Sequence, residues 1–165
     1  KKNNINLYGL ELSESAGEIS REIVGEQNFY DKEIEDVDFG KKFDQIYLWG
    51  VLEHLTDPVS VLEKCTDILE PDGVILFLIP NFHSRAIKIL GVDTPTFVPT
   101  AHIQFFTQKS LNHLYQKLQL EEVGTYFELP VIDFMYPFLD YSDELARQIN
   151  KDGEGYYRIH IIKKK

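Results

Sequence analysis

Glu53 and His54 stand side by side within FDQIYLWGVLEHLTDP, the stretch from Phe43 to Pro58. A histidine titrates near neutral pH, so His54 is a candidate proton carrier, acting as a base on a hydroxyl acceptor. His102, which opens HIQFFT, is a second candidate catalytic group on the acceptor side. Glu53 and the two histidines also have the chemistry of a metal-ligand set. Adjacent side chains on a helix do not share a face, which counts against a compact site, and no metal is expected. The bland alternative is that Glu53 and His54 hold their loop and cap the following turn, while His102 anchors its loop under Phe105 and Phe106.

A second chemistry is written at Glu11, which follows an apolar run. A carboxylate at a strand end can accept hydrogen bonds from two vicinal ribose hydroxyls. Leu48, Trp49 and Gly50 close another apolar strand. Ligands of open α/β sheets collect at such carboxyl-terminal ends, and Gly50 permits close backbone approach. Asn81, after Pro80, either orients an acceptor or caps the next segment. His83, Arg85 and the aromatics of FELPVIDFMYPF are further acceptor-side candidates.

These groups need a scaffold, and 165 residues suit one domain with a hydrophobic core. A net charge of -10 argues against a nucleic-acid backbone as the main partner. The run Lys163–Lys165 reads as a solvated tail. One cysteine, Cys65, excludes an intrachain disulfide framework and a cysteine-rich zinc site. The opening KKNNINLYGLEL lacks signal-peptide architecture and there is no 18-residue apolar run. A cytoplasmic protein without a membrane span is expected.

The pattern predicts a strand over Ile5–Leu12, then a helix opened by Ser13 or Ser15, with Ser15 and Glu18 at capping-box spacing. Ala16, Ile19 and Ile23 give that helix an apolar face, and Gly25 stops it. A short strand is expected over Phe29–Ile34, and another strand over Phe43–Leu48. Asp57 and Pro58 start a helix carrying Val59, Leu62, Cys65, Thr66 and Leu69, which Pro71-Asp72-Gly73 ends in a turn. Val74–Ile79 is continuously apolar, as in a strand buried on both faces. A short helix follows over Arg85–Leu90, and Thr107 caps one bearing Leu111, Leu114, Tyr115 and Leu118. Leu120–Phe127 and Tyr156–Ile162 are strands, with a helix over Ser142–Ile149 between them. The alternation favours a parallel sheet with right-handed crossovers.

Four pieces, GLELSE, FDQIYLWGVLEHLTDP, ILEPDGVILFLIPN and HIQFFTQKSLNHLYQKLQLEEVG, cover about four fifths of the chain. In this order they resemble a class I methyltransferase dependent on S-adenosylmethionine, of the branch with a VLEH motif. The resemblance implies an α/β, Rossmann-like methyltransferase sheet of order 3-2-1-4-5-7-6, with strand 7 antiparallel. Ile5–Leu12 would be strand 2, Phe43–Leu48 strand 4, Val74–Ile79 strand 5, Leu120–Phe127 strand 6 and Tyr156–Ile162 strand 7. Strand 1, with its acidic-x-glycine-x-glycine loop, has no counterpart here. The chain is therefore read as a single, partial methyltransferase domain, truncated ahead of the glycine-rich motif. Residues 82–104 form a loop over the sheet edge, and 128–155 a variable acceptor-side region.

By the same resemblance, Glu11 would hold the ribose of S-adenosylmethionine, with Leu12 and Ser13 flanking the adenosine. Ile34 and Glu35, beside Asp36, would meet the adenine, and Leu48, Trp49 and Gly50 the methionine and sulfonium region. The implied activity is methyl transfer to a small or medium acceptor by direct SN2 displacement. Two rivals are a non-catalytic methyltransferase-like module, or inactive fragment with weak cofactor binding, and another nucleotide-cofactor Rossmann enzyme. VLEHLTDP and LEPDG argue against the latter.

Overall fold

The apolar run Val74–Ile79 lies at the heart of the larger of two sheets. A computed structural model describes residues 5–128 and 142–165. The aromatics Phe134, Tyr136, Phe138 and Tyr141 lie outside the described residues. The chain divides into two units, Lys1–Lys41 and Lys42–Lys165.

In the first unit, β1 (Gly9–Leu10) and β2 (Phe29–Tyr30) pair in parallel across helix α1 (Glu14–Val24). Both strands are shorter than the sequence predicts. Beta-2 is bracketed by 3-10 turns at Glu26–Asn28 and Ile34–Asp36, so β1 has only a two-residue ladder to join. Ser13 is the N-cap of α1 and Gly25, at φ +85°, ends it. The Ser15–Glu18 capping box does not form, and the Ser13 amide instead donates to Glu11 Oε1 at 2.8 Å. The inward face of α1 is also rotated from the one expected. Gly17 is buried against Phe29, the Arg21 guanidinium lies 4.3 Å from that ring, and Val24 meets Gly9. Ile19 and Ile23 are consequently exposed, at 63% and 67%. A side chain at Gly17 would crowd Phe29, with a Cβ 3.2 Å from the ring, which explains why the smallest residue occupies the buried position.

The second unit holds β3 (Phe43–Trp49), α2 (Pro58–Asp67), β4 (Leu69–Pro80), α3 (Arg85–Leu90), α4 (Gln108–Lys117), β5 (Leu120–Glu128), α5 (Asp143–Lys151) and β6 (Tyr157–Lys164). The sheet order is β3-β4-β6-β5. Beta-3 and β4 are parallel, joined through α2, whereas β6 runs antiparallel to both β4 and β5. This order matches strands 4-5-7-6 of the expected methyltransferase sheet, and within the first unit the parallel β2-β1 pair matches the expected pairing of strands 3 and 2. Helix α2 opens where expected, with Asp57 accepting from the amides of Val59 and Ser60 at 3.0 and 3.1 Å.

Pro71-Asp72-Gly73 does not end that helix. Alpha-2 stops at Asp67, and Leu69 is a buried strand residue. Phe43 pairs with Leu69 and Gln45 with Val74, so Glu70–Gly73 bulge out of the β3–β4 ladder. Gly73 is required there, because a Cβ would sit 2.9 Å from Leu69 and 3.0 Å from the Asp44 carbonyl. Lys163 and Lys164 are likewise strand residues rather than a free tail, the latter donating to the Leu69 carbonyl at 2.8 Å.

The core is formed by fully buried Leu62 and Cys65 of α2, Ile75, Phe77 and Ile79 of β4, Leu111 of α4 and Ile162 of β6. Burying each aliphatic side chain contributes about 1.5–3 kcal/mol. One polar cluster interrupts this interior. His160 stacks on its cross-strand partner Phe77 at 4.9 Å and 11°. Its Nδ1 lies 3.1 Å from Glu122 Oε1 and 3.2 Å from the Tyr115 hydroxyl. Burial first, and the Arg158 guanidinium second, pull the imidazole down to about 3, so it is held neutral. In the unfolded chain the ring binds a proton below about 6.5. The unfolded state thus holds more protons than the folded one between these values, and stability falls as pH drops through that window. Urea unfolding at a series of pH values is expected to show a His160→Gln variant losing one proton's worth of the acid slope, about 1.4 kcal/mol per pH unit.

Candidate functional site

Beta-3 ends at Trp49, whose side chain is 56% exposed, while Leu48 beside it is buried in the core. Gly50 then takes φ +63°, a left-handed turn that glycine adopts without steric cost. Its amide still donates to the Leu78 carbonyl at 3.2 Å, so the turn is pinned to β4. A 3-10 turn, Leu52–His54, follows. Leu52 is fully buried and anchors this turn. Glu53, next to it, is also buried, and its main-chain carbonyl accepts the amides of Ile103 and Gln104 at 2.9 and 3.0 Å.

Those two bonds bring His102 to His54. The rings stand 4.7 Å apart at 67°. His54 Nδ1 is 2.9 Å from the Ala101 carbonyl, and His102 Nδ1 is 2.8 Å from the Thr96 carbonyl. A carbonyl only accepts, so each Nδ1 carries a proton, and the neutral form of each ring has its lone pair at Nε2. Glu53 Oε1 lies 4.0 Å from His54 Nε2, and Glu53 Oε2 is buried without a hydrogen-bond partner. Burial raises the Glu53 carboxyl above the usual carboxylate range, opposed by its own backbone hydrogen bond and by His54 and His102.

This cluster opens into a cleft of about 340 Å³, whose walls include Trp49, Gly50, Leu78, Glu128 and Tyr157. No lysine or arginine lines it among the described residues. Strand register explains the last two walls: Pro80 pairs with Tyr157, and Tyr157 with Glu128, in a row across the sheet. Neither Glu128 nor Tyr157 is singled out by the sequence, because only the pairing of three distant strand ends shows them as neighbours. Burial raises the Tyr157 hydroxyl, and the Glu53 charge adds to this.

The structure thus brings together Trp49, Gly50, His54 and His102 of the expected site residues. Glu11, Leu12, Ser13, Ile34 and Glu35 belong to the first unit. There Glu11 caps the entry to α1 through Ser13, Leu12 is exposed, and Ile34 and Glu35 lie in a 3-10 turn. Phe82 packs edge to face on Phe97 and Phe105, which are tilted at 37° to each other, with 5.2–6.2 Å between ring centres. The space around Phe82 and Phe105 has room for about 10 Å³, so this is packing rather than a ligand pocket.

These features match known proteins. A methyltransferase-domain family model covers residues 1–124. The chain belongs to that methyltransferase-domain family. Among its relatives, the ubiquinone biosynthesis O-methyltransferase of Histophilus somni is 37% identical over 57 residues, covering 33% of this chain and 24% of that protein. The namesake from Dinoroseobacter shibae is 32% identical over 90 residues, covering 51% of this chain and 36% of that protein. The matches therefore span about a quarter to a third of those relatives' length. Methyltransferase structures share the fold: one from Thermotoga maritima has a TM-score of 0.67 at 20% identity, covering 96% of this chain and 72% of that one. One from Archaeoglobus fulgidus has a TM-score of 0.61 at 20% identity, covering 96% and 75%. Among the described residues, no helix of this methyltransferase-family chain is long and apolar enough to cross a membrane.

Asn81 has a structural role in this setting. Its Nδ2 donates to the Gly153 and Gly155 carbonyls at 3.0 and 2.7 Å, and its Oδ1 accepts from His83 at 3.1 Å. Arg85 and Lys88 both pair with Glu154, holding the same turn and lowering the Glu154 carboxyl. An Asn81→Ala change, leaving buried carbonyls unpaired, is expected to lower unfolding free energy by about 1–3 kcal/mol in urea titrations.

Proposed function

We propose that this protein transfers a methyl group from S-adenosylmethionine to a hydroxyl of a small or medium acceptor, in the cytoplasm. The observation that carries this reading is the cleft at the end of β3, on a methyltransferase sheet, with two imidazole Nε2 atoms beside it. The names of the matched relatives support an oxygen acceptor.

The cleft residues fit the cofactor. A Cβ on Gly50 would occupy space within 3.6 Å of Glu53 Oε1, space that glycine leaves free. Glu53 and Glu128 supply negative groups, Trp49 and Tyr157 supply aromatic faces, and no cation among the described residues competes. That donor set suits a sulfonium. When bound, S-adenosylmethionine supplies an electrophilic methyl carbon on a positively charged sulfur, which keeps the bonding electron pair as the acceptor's lone pair forms the new bond. The chain's own contribution is then alignment and water exclusion, plus proton removal from the acceptor. His54 or His102 takes that proton at Nε2. Glu53 offsets the charge that forms on the ring. In this reading Glu11 accepts hydrogen bonds from the ribose hydroxyls, Leu12 and Ser13 flank the adenosine, and Ile34 and Glu35 meet the adenine. Leu48, expected to line the methionine region with Trp49, is instead buried in the core and is not among the cleft's lining residues, and residues 82–104 cover the acceptor side.

Calorimetric titration with S-adenosylhomocysteine tests this. The protein is expected to bind, and Glu11→Ala to weaken binding about tenfold, in line with ~1.5–3 kcal/mol for a charged hydrogen bond. Absence of binding at ~1 mM ligand would sink the cofactor assignment, and unchanged affinity in Glu11→Ala would remove the ribose from that residue.

A further inference from the structure

Glu53, His54 and His102 each place one ligand atom so that all three lie within 4.8 Å of one another. We propose that these residues form an open divalent-cation site of the zinc class. Three independent features of the geometry point to it. The Glu53 side chain is 3% exposed, yet its Oε2 has no hydrogen-bond partner. A buried carboxylate oxygen left in that state is costly unless something positive comes to it. Next, both imidazoles are oriented by a main-chain carbonyl on Nδ1, which fixes the tautomer and leaves Nε2 as the ligating atom. Finally, a set of two imidazoles and one carboxylate suits zinc-like ions better than magnesium or calcium.

Bond lengths of about 2.0–2.2 Å place tetrahedral ligand atoms about 3.4 Å apart. The three ligand atoms therefore close by up to about 1.4 Å on an ion, a movement open to His54, which is 42% exposed. Three protein ligands leave at least one position, and the cleft supplies the space for it. In the methyl-transfer reading, on which this role rests, a bound ion would lower the pKa of an acceptor hydroxyl at that position, and the proton would pass to water in the cleft, because the His54 and His102 Nε2 atoms, the bases of the ion-free site, would then be ligands. Ion binding itself stands without that reading.

Cobalt(II) titration of the purified, metal-stripped protein tests the proposal, because a zinc-class site gives cobalt visible absorption bands. One equivalent is expected to bind, to develop those bands and to be displaced by zinc. His102→Ala and His54→Gln are each expected to weaken cobalt binding at least about tenfold and to abolish the bands. His113→Ala, at an exposed histidine of α4, is expected to bind as the unmodified protein does. Circular dichroism and unfolding midpoints check that each variant is folded. If His102→Ala does not fold, His54→Gln decides. Equal cobalt binding by His54→Gln, or no saturable binding below ~1 mM, overturns the proposal. Cobalt binding without S-adenosylhomocysteine binding would overturn the cofactor reading alone, and the converse would overturn the ion site alone.

Discussion

The main-chain carbonyl of Glu53 accepts two amide hydrogens from the segment returning at Ile103 and Gln104. These bonds join a strand-end turn to a stretch about fifty residues further along the chain. They are possible because Leu52 is buried and Gly50 turns left-handed, together aiming the Glu53 carbonyl at the returning segment. The Gln104 side chain adds a bond of 3.3 Å to the Leu55 carbonyl. His102 arrives beside His54 as a consequence, and the Thr96 and Ala101 carbonyls then orient the two rings. Removing that junction would part His102 from Glu53 and His54 and leave the cleft with one imidazole instead of two.

Much of the scaffold is legible in the sequence because its signals are local. Asp57-Pro58 announces α2, Thr107 announces α4, and Arg85–Leu90 is a helix with the predicted bounds. The failures have a common cause: tertiary partners overrode a local pattern. Pro71-Asp72-Gly73 has turn chemistry, but the pairing of Leu69 with Phe43 absorbs it as a bulge in a longer strand. Ile19 and Ile23 have helical spacing, but Phe29 selects the face carrying Gly17. Lys163 and Lys164 look like a tail until β5 offers them a ladder.

The site shows the same division. Trp49, Gly50, His54 and His102 are visible as strand-end or motif residues, and the structure gathers them. Adjacency on a regular helix argued against Glu53 and His54 converging with His102. A 3-10 turn, with the returning segment bonded to it, removes that objection. Glu128 and Tyr157 carry no signal of their own, since their neighbourhood is created by register alone. Asn81 illustrates the reverse: a polar residue at a strand end that looks available to a ligand is fully engaged by the turn at Gly153–Gly155.

Strand β6 follows β5 in the chain but sits between β4 and β5 in the sheet. Neither neighbour has its inner edge paired until β6 is in place. During synthesis, β4 therefore waits for the ribosome to deliver Tyr157–Lys164 before its apolar edge is covered. Such non-local pairing is slow, because chain-closure entropy is lost before the distant contact is gained. Tyr157 is both the first residue of β6 and part of the cleft wall. The cleft is consequently among the last features to form, and a nascent chain passes through a stage with two exposed strand edges, when it is most open to pairing with another copy of itself.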